Sequence, residues 1–163
     1  MKQVLFKSGK AFVENTPAPS VEPGTVLVHV EYSCISAGTE ISGVRSSGEP
    51  IWKRALKHPD EVKQVLSMVS DQGIRRIHRM VKGKLTSGTA LGYSAAGKVI
   101  AVGEGISDLV EGDKVACAGA QCAHHAEVIR VPRNLVARMP KDLPMESGST
   151  VTLGTIALHG VRR

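Results

Sequence analysis

Aromatic residues are nearly missing: one Trp, two Tyr and two Phe in 163 residues. A core without rings has to be built from Val, Ile, Leu and Ala. Cysteine is also sparse. Cys34, Cys117 and Cys122 make an odd set of three, a poor disulfide framework. Nothing approaches the ~18 consecutive apolar residues of a membrane span. The apolar run in Met1-Lys-Gln-Val-Leu-Phe-Lys7 breaks after three residues, too short for a signal-peptide core. A reducing, cytoplasmic setting is therefore expected, with no membrane partner.

Glycine and proline are abundant, 17 and 8, which suits a turn-rich β fold rather than a helical bundle. The length fits one domain able to bury a core without disulfides or metal. Residues 1–44 read as β. Val4–Phe6 and Ala11–Val13 flank a Ser8-Gly9 turn, and Val26, Val28 and Val30 alternate onto one face. Further short strands are read at Lys98–Gly103, Lys114–Cys117, Ala126–Val131 and Leu135–Met139, between turns carrying Gly, Asp or Pro. The tail from Met145 is helix-compatible.

The net charge of +6 is concentrated. Arg45 to Gly88 holds ten Lys/Arg against four Asp/Glu, and the rest of the chain is balanced. The pattern changes there too. His58-Pro59-Asp60-Glu61 reads as a helix start, followed by Val62, Val65, Leu66 and Val69 at helical spacing. A second helix carries Ile74, Ile77 and Val81, with Arg75, Arg76, Arg79 and Lys82 on other faces. The segment predicts a helical hairpin near 59–83 inserted between strands. As an alternative function, its basic side chains could engage a polyanion. No nucleic-acid motif accompanies them and Trp52 is the one nearby aromatic, so nucleic acid is not the expected partner.

One ordered set of residues is more specific. Gly92 to Val115 reads GYSAAGKVIAVGEGISDLVEGDKV. Gly97 allows close backbone approach, Gly103 and Gly105 a tight reversal, and Gly112-Asp113 a turn into Val115. Pro23-Gly24-Thr25-Val26-Leu27-Val28, Cys34-Ile35-Ser36-Ala37-Gly38-Thr39-Glu40, Ala126-Glu127 through Val131-Pro132, and Leu153-Gly-Thr-Ile-Ala-Leu158 fall around it in order. Together these resemble the GroES-like domain of the medium-chain dehydrogenase/reductase superfamily, the zinc-type alcohol dehydrogenases and quinone reductases. The resemblance implies a mainly β fold, a GroES-like distorted β-barrel with an inserted helical hairpin and a C-terminal linking helix. Residues 1–144 would form the catalytic-type domain, with its insertion at about 45–88, and 145–163 would begin the helix leading to a nucleotide-binding domain. The insertion resembles a bacterial subgroup in which such a module is fused to a Gfo/Idh/MocA oxidoreductase domain.

The resemblance also implies an NAD(P)-dependent oxidoreductase acting on a small carbonyl, hydroxyl or enone substrate. Where zinc members carry their catalytic ligands, this chain has Ser36, Tyr93-Ser94 and about Val151, so no zinc is expected. A cluster of Cys117, Cys122, His124 and His125 has suitable residue types, but adjacent His on a strand would point to opposite faces. Without zinc the substrate oxygen needs hydrogen-bond donors. By position these are Thr39, matching the family Ser/Thr, and Tyr93, in place of the family histidine. Thr155 resembles the family Thr beside the nicotinamide. Packing or local turn roles are open for all three. No Gly-x-Gly-x-x-Gly phosphate loop occurs in these residues. The chain is therefore expected to be the front part of a longer enzyme, with the downstream nucleotide-binding domain as its partner and homo-oligomerisation left open.

Overall fold

The computed structural model describes residues 1–47 and 88–162, with side chains at all of them except 46 and 47. The helical hairpin read near 59–83 and its basic side chains lie outside the described residues.

Strand β1 (Lys2–Lys7) turns into β2 (Lys10–Asn15) as expected. The turn residues Ser8 and Gly9 both take positive φ, 50° and 77°. That mirror-type turn matches the twist of the two strands it joins. β1 lies between β2 and β4 (Thr89–Ala90) in a three-stranded sheet.

By packing, the chain divides into two compact units. The first comprises Met1–Val4, Val13–Ala37 and the residues from Ala90 onward. It is built on a five-stranded sheet in the order β7-β3-β5-β6-β8. The strands are β3 (Thr25–Ser33), β5 (Ser94–Val102), β6 (Lys114–Ala118), β7 (Val128–Pro132) and β8 (Val136–Arg138). Every pairing is antiparallel. The alternation read in β3 holds: Val26 and Val28 are fully buried and Val30 packs against the same cluster. Val99, Val115, Ile129 and Val131 complete an aliphatic core around Cys117, and no ring is among its buried members. This is the mainly β, GroES-like fold class that the sequence implies, its sheet curled around that core.

The glycines have different physical reasons. A Cβ at Gly97 would stand 2.0 Å from the His29 carbonyl oxygen on β3. Only glycine lets β5 run that close, opposite a bulge between Val30 and Tyr32. Gly103 is likewise required by the carbonyl of Glu22, 2.0 Å from its would-be Cβ. Gly112, at φ 89°, forms the turn into β6, where Asp113 Oδ2 accepts the Val110 N–H at 2.9 Å.

Two sequence readings need correction. Residues 1–44 are not all β, because helix α1 spans Ala37–Ser47. Gly38 and Gly43 hide it from propensity, while Glu40 in its first turn and Arg45 in its last suit the helix dipole. The tail is not one helix. α2 (Met145–Gly148) ends before α3 (Val151–Val161) begins. α2 is seated by a small second core of Ala96, Ala116, Met139 and Met145. The second unit contains Leu5–Phe12 and α1 from Gly38 onward.

Candidate active site

The site residues of the first unit gather where β5 begins. Tyr93 sits at a bend just before the strand and is half-buried. Its carbonyl accepts the Gly119 N–H at 2.9 Å and the Thr152 hydroxyl at 3.1 Å. Ser94, fully buried, donates its hydroxyl to the Ser149 carbonyl at 2.6 Å and accepts the Thr152 N–H at 3.3 Å. The Ser94 carbonyl takes the Cys34 N–H at 3.0 Å. The start of β5, the end of β3 and the first turn of α3 are thus tied together around Tyr93. These bonds fix the Tyr93 backbone from which the phenol extends.

Behind this turn lies His125, 9% exposed. Its Nδ1 shares a 2.8 Å hydrogen bond with the Ser33 hydroxyl, and its N–H donates to Leu91 O at 2.8 Å. At the end of β3 the neighbouring Glu146 carboxylate holds the Tyr32 phenol above its ordinary pKa. Sequence reasoning named neither Ser33 nor Thr152, and it weighed Ser94 and His125 only as metal-ligand positions. The polar residues at strand and helix ends were visible, but their pairing across 55 to 92 residues of chain was not.

Thr155, read as the nicotinamide neighbour, is exposed on α3 and donates its hydroxyl back to Val151 O at 2.8 Å. Thr152, three residues earlier on the same side of the helix, is the threonine joined to Tyr93. Thr39 belongs to the second unit. It lies in the first turn of α1, exposed, rather than in the loop that its motif suggests.

The positions matching zinc ligands carry poor donors. Ser36 is a half-buried hydroxyl, Tyr93 a phenol, and Val151, with no donor atom, packs against the second core. The cysteine–histidine cluster disperses. Cys117 is buried in the main core, which pushes its thiol up to about 12. The Cys122 thiol donates to Ala118 O at 3.4 Å, and burial raises its pKa as well. His124 Nε2 donates to Ala120 O at 3.3 Å, its pKa lowered by burial. The two histidines part company in a loop, not on a strand as the sequence reading had it. Among the described residues no group of three or more His, Cys, Asp or Glu side chains is placed to hold a metal. No helix among them is long and apolar enough to cross a membrane.

No protein-family model matches the chain. It is 30% identical over 132 residues to galactitol 1-phosphate 5-dehydrogenase of Escherichia coli K12, a match covering 64% of this chain and 38% of that protein. The chain thus spans well under half the length of the curated relatives it matches. Its fold is similar to that of the quinone oxidoreductase from Coxiella burnetii, with a TM-score of 0.68 and 19% identity, covering 99% of this chain and 44% of the other. A mycobacterial structure complexed with NADPH has a TM-score of 0.62 and 16% identity, covering 99% and 40%. Sequence relative and structural neighbours together support the resemblance to the medium-chain dehydrogenase/reductase superfamily, and the fold is that of its GroES-like domain.

Proposed function

We propose that this chain is the catalytic-type part of a zinc-independent, NAD(P)-dependent oxidoreductase of the medium-chain dehydrogenase/reductase superfamily. It acts on a small carbonyl, hydroxyl or enone substrate, in the cytoplasm. The observation that carries the reading is Tyr93. By resemblance it matches a ligand position of the zinc members, and its carbonyl is anchored by Gly119 and Thr152. A metal-free site needs such a preorganised donor at the substrate oxygen. The donor set of Ser36, Tyr93 and Val151 does not fit zinc. Thr39 is the second donor by resemblance.

Bound nicotinamide would supply or accept the hydride. The described residues fit one wall of its site, with Thr155 toward the ring, and they lack the loop that cradles a pyrophosphate. The apolar exposure of α3, with Leu153, Ile156, Leu158 and Val161 open around its circumference, supports a covering nucleotide-binding domain. The narrower assignment to proteins fused to a Gfo/Idh/MocA domain rests on the insertion alone. The relatives' substrates point to two panels, quinones and polyol phosphates.

The test uses the chain carrying its nucleotide-binding domain. NAD(P)H-linked turnover of both panels is measured before and after dialysis against a strong chelator. Turnover should survive the chelator, and Tyr93→Phe should lower it on the order of 10²-fold with little change in cofactor affinity. Loss of turnover on chelation, restored by zinc, would overturn the zinc-independent reading. Unchanged turnover in Tyr93→Phe assigns Tyr93 to packing.

A further inference from the structure

We infer that His125 is a positioning residue for Tyr93, acting through the Leu91–Gly92 turn and locked by Ser33. The inference rests on the reading of Tyr93 given above. Its geometry stands independently of any substrate.

His125 is tied at three points. Its backbone N–H donates to Leu91 O at 2.8 Å, its carbonyl accepts the Val4 N–H at 2.8 Å, and Nδ1 pairs with Ser33 Oγ at 2.8 Å. The ring and backbone close against Gly92, whose φ is 100°. A Cβ there would stand 2.7 Å from His125 N and 3.0 Å from its Cε1. The residue after Gly92 is Tyr93. On its far side the Tyr93 carbonyl is held by Gly119 and Thr152. The phenol therefore stands on a short backbone segment clamped at both ends, with His125 as the clamp on the N-terminal side.

Ser33 makes that clamp specific. It lies at the end of β3, paired with Ala95 on β5, so the hydroxyl that orients the ring comes from the same sheet that carries Tyr93. An apolar side chain could fill the volume beside Gly92. It could not fix its own rotation against β3, because it has no partner for the Ser33 hydroxyl. A part-buried hydrogen bond of this kind selects one ring orientation rather than adding much stability. A single arrangement is what a donor aimed at a substrate oxygen requires: displacement on the 1 Å scale costs on the order of 10²-fold in rate.

The chain has two tyrosines, Tyr32 and Tyr93, so 3-fluorotyrosine labelling gives a two-line ¹⁹F NMR spectrum, assigned by Tyr93→Phe. His125→Phe keeps the ring and removes the bond to Ser33. It should shift or broaden the Tyr93 line and leave the Tyr32 line in place. His125→Asn, which keeps a polar group near the Nδ1 position, should restore the Tyr93 line. Ser33→Ala removes the same bond with a smaller perturbation. It should repeat the His125→Phe effect, and it decides the matter where His125→Phe does not fold. An unmoved Tyr93 line in folded Ser33→Ala overturns the inference.

With the nucleotide-binding domain present, NADPH-dependent reduction of 1,4-naphthoquinone supplies a second readout. His125→Phe should lower kcat by roughly 10-fold to 100-fold without raising KM for NADPH. The double variant with Tyr93→Phe should be no slower than Tyr93→Phe alone, because both changes remove one contribution. Independent, multiplying losses would make His125 a structural residue and overturn the link. If Tyr93→Phe retains full turnover, the functional reading of Tyr93 fails, and the NMR result alone decides whether His125 positions it.

Discussion

At the scale of single residues, chemistry and packing compete for the same side chain, and Cys117 shows packing winning. It looks like a metal ligand beside Cys122 and two histidines. Its place is the aliphatic core, fully buried, where desolvation disfavours the thiolate and lifts the pKa to about 12. The consequence for stability has a definite sign. An unfolded thiol loses its proton near its ordinary value of about 9, whereas the folded one keeps it. The unfolded state therefore binds fewer protons above that pH. The contribution of Cys117 is complete below about pH 9 and is lost as pH rises toward about 12. Urea unfolding across that window should show stability falling by at most about 1.4 kcal/mol per pH unit. Cys117→Ala should be less stable at neutral pH but should flatten the alkaline slope. An equal slope in wild type and variant would show that the thiol titrates alike in both states.

At the scale of elements, the β3–β5 pair organises the first unit, and glycine sets its closeness. A methyl at position 97 would meet the His29 carbonyl at 2.0 Å, backbone against backbone, with no flexible side chain to yield. Gly97→Ala should destabilise the chain by at least about 3 kcal/mol and disturb the strand ends that carry Ser33 and Ser94. Gly105→Ala meets nothing within 4 Å and bears only the strain of φ 85°, so it should cost about 1 kcal/mol. Thermal denaturation of the two variants side by side checks the ranking; equal losses would mean that the strands separate to admit the methyl. The reasons read for both glycines, close backbone approach at Gly97 and a reversal at Gly105, hold in the structure. Gly103, read as a turn glycine, is fixed by crowding against Glu22 and lacks a positive φ.

The limits of sequence reading follow the same division. Strands announced themselves because alternation records burial directly, as in Val26 and Val28. Helix α1 did not, because two glycines and several small polar residues carry no period. For the site, the position of Tyr93 came from the family pattern, since its anchors lie far away in the chain. Thr152, one helical turn before Thr155, joins the Tyr93 carbonyl, a contact that spacing in the sequence does not reveal. His125 looked like a metal candidate, and only the fold shows its ring turned to Ser33.

At the scale of the whole molecule, the question is how much function 163 residues can carry. Hydride transfer demands a nicotinamide held within about 3.5 Å of the substrate carbon, with water kept out. Binding a dinucleotide at useful strength needs backbone N–H groups converging on its pyrophosphate at a helix N-terminus. The residues here contain no Gly-x-Gly-x-x-Gly, and Gly103-Glu104-Gly105 sits in an open turn between strands rather than at the start of a helix. On the proposed reading they contribute one wall of the cofactor site, around the Tyr93 turn. A wall makes contacts but leaves the diphosphate charge unneutralised, and contacts of that kind rarely offset the entropy of capturing a mobile ligand. Titration calorimetry of the 163-residue chain with NADPH should therefore give a Kd in the millimolar range or weaker, roughly 4 kcal/mol of binding free energy at most. The same chain should oxidise no NADPH in the presence of 1,4-naphthoquinone. Joining the nucleotide-binding domain should tighten cofactor binding whether Tyr93 or Phe occupies position 93, whereas turnover should be on the order of 10²-fold lower with Phe. Micromolar binding by the 163 residues would place a complete cofactor site in this chain and overturn the proposed division of labour.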